Sequence, residues 1–342
     1  MNAPALSYVE ESVVSLLLEE EFGEARLREL CPESPVDPGL WESVLGGPLR
    51  DFLARPGKEF RAALVRLGYR IAGGVGEAPV ALPVVVEILH AGSLIVDDIE
   101  DESTSRRGAP ALHRQIGLSK ALNAGNWLYF WPARLIAQLA LPPHTELSLH
   151  RGMNETLLNC HYGQALDLGA TLGEVPKHEL PNVVRTLTTL KTGSLMGFAA
   201  ASGAIAANAP AEVVQTLSRF GRELGVTLQM LDDLGGILSE RRAQKGHEDL
   251  LNGRLTWVWS WLSECLDTPG FAALRELQAQ VEARDVHPEV LCARIRPHLS
   301  KHRTLVHAHL EAAFGELTHV VGLSPAVGEL RRTLSILEKS YD

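Results

Sequence analysis

Apolar residues recur at three- and four-residue spacing through most of the chain, and strand-like alternation bounded by turn residues is scarce. This pattern predicts helices over 9–30, 61–71, 80–101, 118–139, 147–168, 181–207, 211–238 and 256–265, with further amphipathic helices from Phe271 to the end. Proline and glycine punctuate the gaps, at Pro56-Gly57, Gly73-Gly74, Pro142-Pro143, Pro210 and Pro269-Gly270. Nothing in the spacing suggests βαβ units, internal repeats or a low-complexity linker. The reading is one all-α domain over 1–342, with roughly ten to thirteen helices. The stretch 240–255 is charged and contains glycine, and is expected to be a mobile loop at the mouth of a site.

Two acidic pairs interrupt this apolar text. Asp97-Asp98-Ile99-Glu100-Asp101 closes the predicted 80–101 helix and is followed by Arg106-Arg107-Gly108, and Asp232-Asp233 lies inside the 211–238 helix. Carboxylates on apolar helices are costly unless positive charge meets them. The two pairs are therefore expected to form two walls of one site for metal ions and a diphosphate. On a helix, Asp97 and Asp101 stack on one face about 5–6 Å apart. That suits carboxylates sharing one or two Mg2+ ions, which prefer oxygen ligands and bridge to substrate phosphate. Asp98 points off that face, in a supporting position. A solvated helix end with Arg106 and Arg107 as simple ion-pair partners is the plainer reading. Two adjacent arginines beside the carboxylates are placed to hold two separate diphosphates. His90, two turns before Asp97 on the same face, points toward the acidic mouth.

Composition narrows the class. The chain has 342 residues and a net charge of −10, which argues against a duplex nucleic-acid surface. The four cysteines, Cys31, Cys160, Cys265 and Cys292, lie far apart without a CxxC pair. Their spacing supports neither a zinc framework nor a disulfide framework, and fits a reducing cytoplasm. The first eleven residues lack the basic and apolar regions of a signal peptide. The most apolar run, 80–96, contains Pro83, Glu87 and His90, and is too short to span a bilayer. The histidine-rich C-terminal region (His287, His298, His302, His307, His309, His319) reads as surface.

The stretch Leu94 to Asp101 with Arg106-Arg107-Gly108 resembles the first aspartate-rich motif of the trans-isoprenyl diphosphate synthases, most closely the geranylgeranyl diphosphate synthases. Pro56-Gly57-Lys58-Glu59-Phe60-Arg61 resembles that family's isopentenyl diphosphate site. Gly163-Gln164-Ala165-Leu166-Asp167, Lys191-Thr192-Gly193, Gln229 to Asp233, and Glu248-Asp249-Leu250 through Arg254-Leu255-Thr256 are similar to its later motifs, in family order from about 57 to 257. The helices from about 271 to 342 add little to the likeness.

The resemblance implies an all-α isoprenoid-synthase-type helical bundle with a central apolar tunnel. It also implies a homodimer, two or three Mg2+ ions (with Mn2+ as an alternative), and head-to-tail condensation of isopentenyl diphosphate with dimethylallyl, geranyl or farnesyl diphosphate. By position, Gly57, Lys58, Arg61, His90 and Arg107 would hold isopentenyl diphosphate. Asp97, Asp101 and Asp232 would hold the metals. Arg106, Lys191, Gln229, Lys245 and Arg254 would bind the allylic diphosphate, Lys245 on the loosest alignment. Thr192 and Gln229 would lie beside the forming carbocation, with Lys191 facing the allylic substrate.

Gly92 and Ser93, one turn before Asp97, are small and would leave the tunnel open. Tyr129, Phe130 and His161, with Trp127 nearby, are its expected floor, and geranylgeranyl diphosphate is the expected product. The second motif departs from the family's Asp-Asp-x-x-Asp, because it reads Asp232-Asp233-Leu234-Gly235-Gly236. Asp232, Gly236 and Glu240 are spaced four apart, which resembles a relaxed metal motif of class I terpene cyclases. The Gly57-Lys58-x-x-Arg61 site and Arg107 argue against a cyclase, which has no isopentenyl substrate. A non-catalytic subunit of a heteromeric synthase is the third reading, and the intact first motif and Lys191 argue against it.

Overall fold

A computed structural model describes residues 7–57, 60–339 and 341 of the chain. Two compact units divide it, Met1–Gly152 with Ser202–Ala209, and Met153–Ala201 with Pro210–Asp342. Its helices are α1 (Ser7–Glu21), α2 (Glu24–Leu30), α3 (Pro38–Trp41), α4 (Gly47–Leu53), α5 (Phe60–Ile71), α6 (Ala81–Glu100), α7 (Leu112–Ile116), α8 (Leu118–Ala137) and α9 (Pro143–Gly169). There follow α10 (Leu180–Thr188), α11 (Ser194–Ala206), α12 (Ala211–Leu238), α13 (Ala243–Leu251), α14 (Trp257–Cys265), α15 (Thr268–Glu282), α16 (Pro288–Ile295), α17 (His302–Val321) and α18 (Pro325–Lys339). A two-residue antiparallel ribbon, β1 (Ser105–Arg106) with β2 (Ala109–Pro110), is the sheet among the described residues.

The fold is all-α, as the hydrophobic periodicity predicts. The long helices stand where that pattern is strongest. α6 buries Leu82, Val85, Ile88, Leu89 and Ile95 and packs along α5 and α8. Its seam with α8 is tight: an ideal Cβ on Gly92 would lie 3.0 Å from both the Gly125 carbonyl oxygen and Leu128 Cβ. α12 buries Leu217, Phe220, Leu224, Leu231 and Leu234 and packs against α17, α13 and α14 in the second unit. The core there also holds Trp257, Trp259 and Phe271, the last two edge to face at 6.3 Å.

Three details depart from the sequence reading. The predicted 9–30 helix breaks at Gly23 into α1 and α2. The predicted 181–207 helix is divided by a π-type turn at Thr189–Gly193. The stretch 240–255, expected as a mobile loop, instead forms a short 3-10 turn (Glu240–Arg242) and α13. The reason is packing: Leu250 is buried, and Gly246 lies against Gly236 so that α13 meets α12 backbone to backbone. No helix of the described residues is long and apolar enough to cross a membrane.

Candidate active site

In the first unit, the apolar run of α6 gives way to the acidic cluster, and the chain reverses at Glu102, where φ is 51°. Asp97 and Asp101 are half-buried at this end, while Asp98 is buried. Asp98 Oδ1 accepts hydrogen bonds from Arg106 Nε, at 2.8 Å, and from Arg106 Nη2. This ion pair is nearly dry on the acidic side, and breaking such a pair costs about 3–5 kcal/mol. Asp98 Oδ2, also buried, has no hydrogen-bond partner among the described residues. An all-oxygen donor set with one buried oxygen still able to accept suits a hard cation such as Mg2+.

Arg106 and Arg107 are displayed by the β1–β2 ribbon. Its turn residues, Arg107 and Gly108, both have positive φ (53° and 78°), as a type I′ hairpin requires. A left-handed arginine costs roughly 1–2 kcal/mol, so the surrounding structure must hold it. Arg55 does this: its guanidinium, buried, donates to the Pro110 carbonyl at 3.0 Å and to Asp51 at 2.8 Å. The Arg55 carbonyl in turn accepts from Arg107 Nη1 at 3.4 Å. Arg107 Nη2 lies 3.3 Å from the point where a Gly57 Cβ would stand, so the 56–61 motif and the arginine pair meet. Burial, and then the charges of Arg61, Arg107 and Arg106, hold the His90 imidazole well below the usual histidine range. His90 is therefore a neutral member of a cationic pocket. Lys58 lies outside the described residues.

In the second unit, two further carboxylates gather cations. Asp167, on α9, accepts from Lys191 Nζ at 2.6 Å, and Arg254 Nη1 lies 3.6 Å from the same carboxylate while donating to the Asp167 carbonyl at 2.7 Å. Lys191 and Thr192 are carried by the π-type turn, a feature common at functional sites. Gly163 permits this approach, since a Cβ there would overlap the Lys191 backbone. Thr192 Oγ1 lies 3.5 Å from Gln229 Oε1, and Gln229 Nε2 donates to Asp233 Oδ1 at 2.8 Å. Asp232 is paired with both Arg242 and Lys245. The structure thus brings Lys245, the residue on the loosest alignment, onto Asp232.

Asp233 has a different task. It is buried, and its Oδ2 accepts from the Trp257 backbone N–H at 2.8 Å, which tethers the start of α14 to α12. Burial and the charge of Asp249 push its carboxyl up to about 7. Burial likewise pushes Asp249 up to about 6, against the pull of Lys245. Position 236 faces α13 closely, with Gly246 Cα 3.0 Å from where a Gly236 Cβ would be, so a carboxylate there would require α13 to give way. α12 also ends before Glu240, which is exposed on the 3-10 turn, so Asp232, Gly236 and Glu240 do not share one helical face.

The chain-length residues divide. Gly92, half-buried Ser93 and half-buried Tyr129 lie at the α6–α8 seam, with Tyr129 Cδ1 3.5 Å from a Gly92 Cβ position. Phe130 is 76% exposed and His161 is exposed, and side chains facing solvent in the single chain do not floor a dry tunnel. Helical spacing placed them on helices but not on the inward face. Sequence reasoning missed Arg55 and Arg242, and gave Asp167 no role. Arg55 carries no motif signal, whereas Arg242 stands ten residues after Asp232 in a basic stretch.

Acidic clusters on apolar helices, each met by arginine or lysine from a neighbouring element, form an arrangement suited to metal ions and anionic groups. Residues 42–283 match the sequence model of the family described as Polyprenyl synthetase, and the chain belongs to that family. A geranylgeranyl pyrophosphate synthase from Eremothecium gossypii is 31% identical over 232 residues, covering 65% of this chain and 71% of that protein. A geranylfarnesyl diphosphate synthase from Aeropyrum pernix is 30% identical over 220 residues, covering 62% of this chain and 68% of that one. The fold matches a crystal structure of geranylgeranyl pyrophosphate synthase from Corynebacterium glutamicum, complexed with isoprenyl diphosphate and magnesium. The TM-score is 0.77 at 20% identity, over 99% of this chain and 100% of that chain.

Two predictions follow from the second-unit cluster. Gly163→Ala should push the π-type turn off α9, lower the melting temperature and reduce turnover about tenfold or more; unchanged melting and turnover would contradict the close approach. Asp233 binds its proton more tightly folded than unfolded, so its contribution to stability falls as pH rises from about 4 to about 7. Urea unfolding in EDTA should therefore show Asp233→Asn gaining on the native chain across that window, and parallel pH profiles would refute the raised carboxyl.

Proposed function

We propose that the chain joins isopentenyl diphosphate head-to-tail to an allylic diphosphate (dimethylallyl, geranyl or farnesyl) and releases its product as geranylgeranyl diphosphate, acting as a cytoplasmic homodimer. The observation that carries this reading is the gathering of cations around His90: Arg61 and Arg107 both act on its imidazole, and Arg107 also lies against Gly57. A second anionic substrate gives that cluster a purpose, and a one-substrate cyclase does not. The crowded position 236 and the broken 232–236–240 face also weigh against the cyclase.

On this reading Asp97, Asp101 and Asp232 hold two or three Mg2+ ions, with Mn2+ able to replace them. The bound ions supply positive charge to the departing diphosphate oxygens. Arg106, Lys191, Lys245 and Arg254 bind the allylic diphosphate and stabilise the charge that builds there as the carbon–oxygen bond breaks. Arg107, Arg61 and neutral His90 hold isopentenyl diphosphate so that its alkene faces the allylic carbon. Its π electrons form the new carbon–carbon bond, and the proton lost afterwards goes to a diphosphate oxygen. Thr192 and Gln229 turn their oxygens toward the transient cation. The apolar faces of the motif helices keep water from it.

Product length is assigned to the α6–α8 seam at Gly92, Ser93 and Tyr129. The two relatives, of near-equal identity, carry names for different products, so length rests on these residues. The homodimer is supported by Leu118, Leu122 and Phe130 on α8, three large apolar side chains that are 58%, 40% and 76% exposed.

The test is incubation with labelled isopentenyl diphosphate, Mg2+ and each allylic diphosphate, followed by product mass. Growth that needs isopentenyl diphosphate and stops at twenty carbons is expected, with Asp97→Asn and Asp232→Asn each lowering turnover about 100-fold or more. Hydrocarbon from one allylic diphosphate alone would instead indicate the cyclase, and turnover only with a partner chain would indicate the subunit. Tyr129→Ala is expected to lengthen the product, and an unchanged product would remove Tyr129 from the length-setting set.

A further inference from the structure

Among the described residues, one mixed cluster of metal-ligating side chains lies apart from the carboxylates assigned above. Glu289 and Cys292 are three residues apart on α16 and share a face. His247 reaches them from α13, with Nε2 3.4 Å from Glu289 Oε2. Ligand atoms of His247, Glu289 and Cys292 all lie within 4.8 Å of one another. A fourth donor is close: the His287 ring meets the His247 ring edge-on at 5.4 Å. His287 Nδ1 accepts the Glu289 N–H at 3.2 Å as the cap of α16, which leaves Nε2 as its uncommitted nitrogen in that cap.

We propose that His247, Glu289 and Cys292, completed by His287 or water, form a binding site for a borderline-soft divalent metal, Zn2+ by preference. The ligand types carry the choice of ion. Imidazole nitrogen and thiolate sulfur suit Zn2+, whereas Mg2+ takes oxygen alone. Tetrahedral Zn2+ with bonds of about 2.0–2.3 Å sets its ligands roughly 3.3–3.8 Å apart. The His247–Glu289 pair already has that separation at 3.4 Å, and the Cys292 sulfur lies within 4.8 Å of both other ligand atoms. Cys292 is 1% exposed, and burial pushes its thiol up to about 11. The thiol therefore keeps its proton until an ion displaces it.

Arg296 aims the carboxylate. Its Nη1 donates to Glu289 Oε1 at 2.6 Å and its Nη2 to Oε2 at 3.0 Å, while Nε donates to the Ile237 carbonyl at 3.0 Å. That bracing resembles the outer partners that orient metal-ligating carboxylates. An ion here would cross-link α13 to α16. α13 also carries Lys245 and Asp249, so the ion would stiffen the helix that meets Asp232.

The test uses the full chain, stripped with EDTA, dialysed and titrated with Zn2+ in millimolar Mg2+, with Co2+ as a spectroscopic probe. The expected result is one Zn2+ per chain, and a thiolate-to-cobalt charge-transfer band with Co2+. Cys292→Ser should abolish that band, and His247→Ala should weaken Zn2+ binding about tenfold or more. Asp232→Asn should bind Zn2+ as the native chain does, which separates this site from the proposed Mg2+ ligands. No Zn2+ uptake by the native chain, or uptake unchanged in both Cys292→Ser and His247→Ala, would overturn the proposal. Should Cys292→Ser fail to fold, the half-buried His247 provides the decisive variant.

Discussion

A carboxylate on an apolar helix must either be met by positive charge or hold its proton, as Asp233 does, and the first solution organises this protein. Three knots satisfy it: Asp98 with Arg106, Asp167 with Lys191 and Arg254, and Asp232 with Arg242 and Lys245. Each cation comes from an element other than the helix that carries its carboxylate. The pairs are therefore tertiary devices, and removing a cation leaves a mostly buried carboxylate without its partner. On the proposed reading several of the same cations bind diphosphate. The charges that let the acidic helices fold are then the charges that receive the substrate.

Local backbone irregularities deliver those cations. The type I′ turn holds Arg107 left-handed, and buried Arg55 braces the ribbon from behind. The π-type turn carries Lys191 toward Asp167, and Gly163 clears the way. α13 touches α12 at Gly236 and Gly246, which sets Lys245 and Arg242 on Asp232 and crowds the position where a third acid would stand. The shortened second motif thus goes with a close contact between the two helices.

Legibility in the sequence tracked the strength of the periodic signal. α12 runs over the predicted 211–238, and α6 over 81–100 against a predicted 80–101, because long apolar stripes outweigh every competing conformation. α13 was hidden by its charge and its glycine: the interaction that stabilises it is contact with α12, which no local pattern records. The π-type turn was hidden inside a continuous helical text. The motif residues could be found by their order along the chain, but Arg55 and Arg242 act through partners fifty-five and ten residues away. Phe130 shows the same limit. Its helix was legible, and the face it presents was not.

If the cations neutralise the carboxylates until metal takes their place, diphosphate affinity must depend on that replacement. Calorimetric titration of the native chain with inorganic diphosphate, with and without Mg2+, tests this most directly. The account predicts a large Mg2+-dependent component of binding that is lost in EDTA, because Arg242 and Lys245 remain committed to Asp232 until metal takes their place, while the Arg61 and Arg107 cluster contributes in both conditions. Equal affinity in EDTA would contradict it.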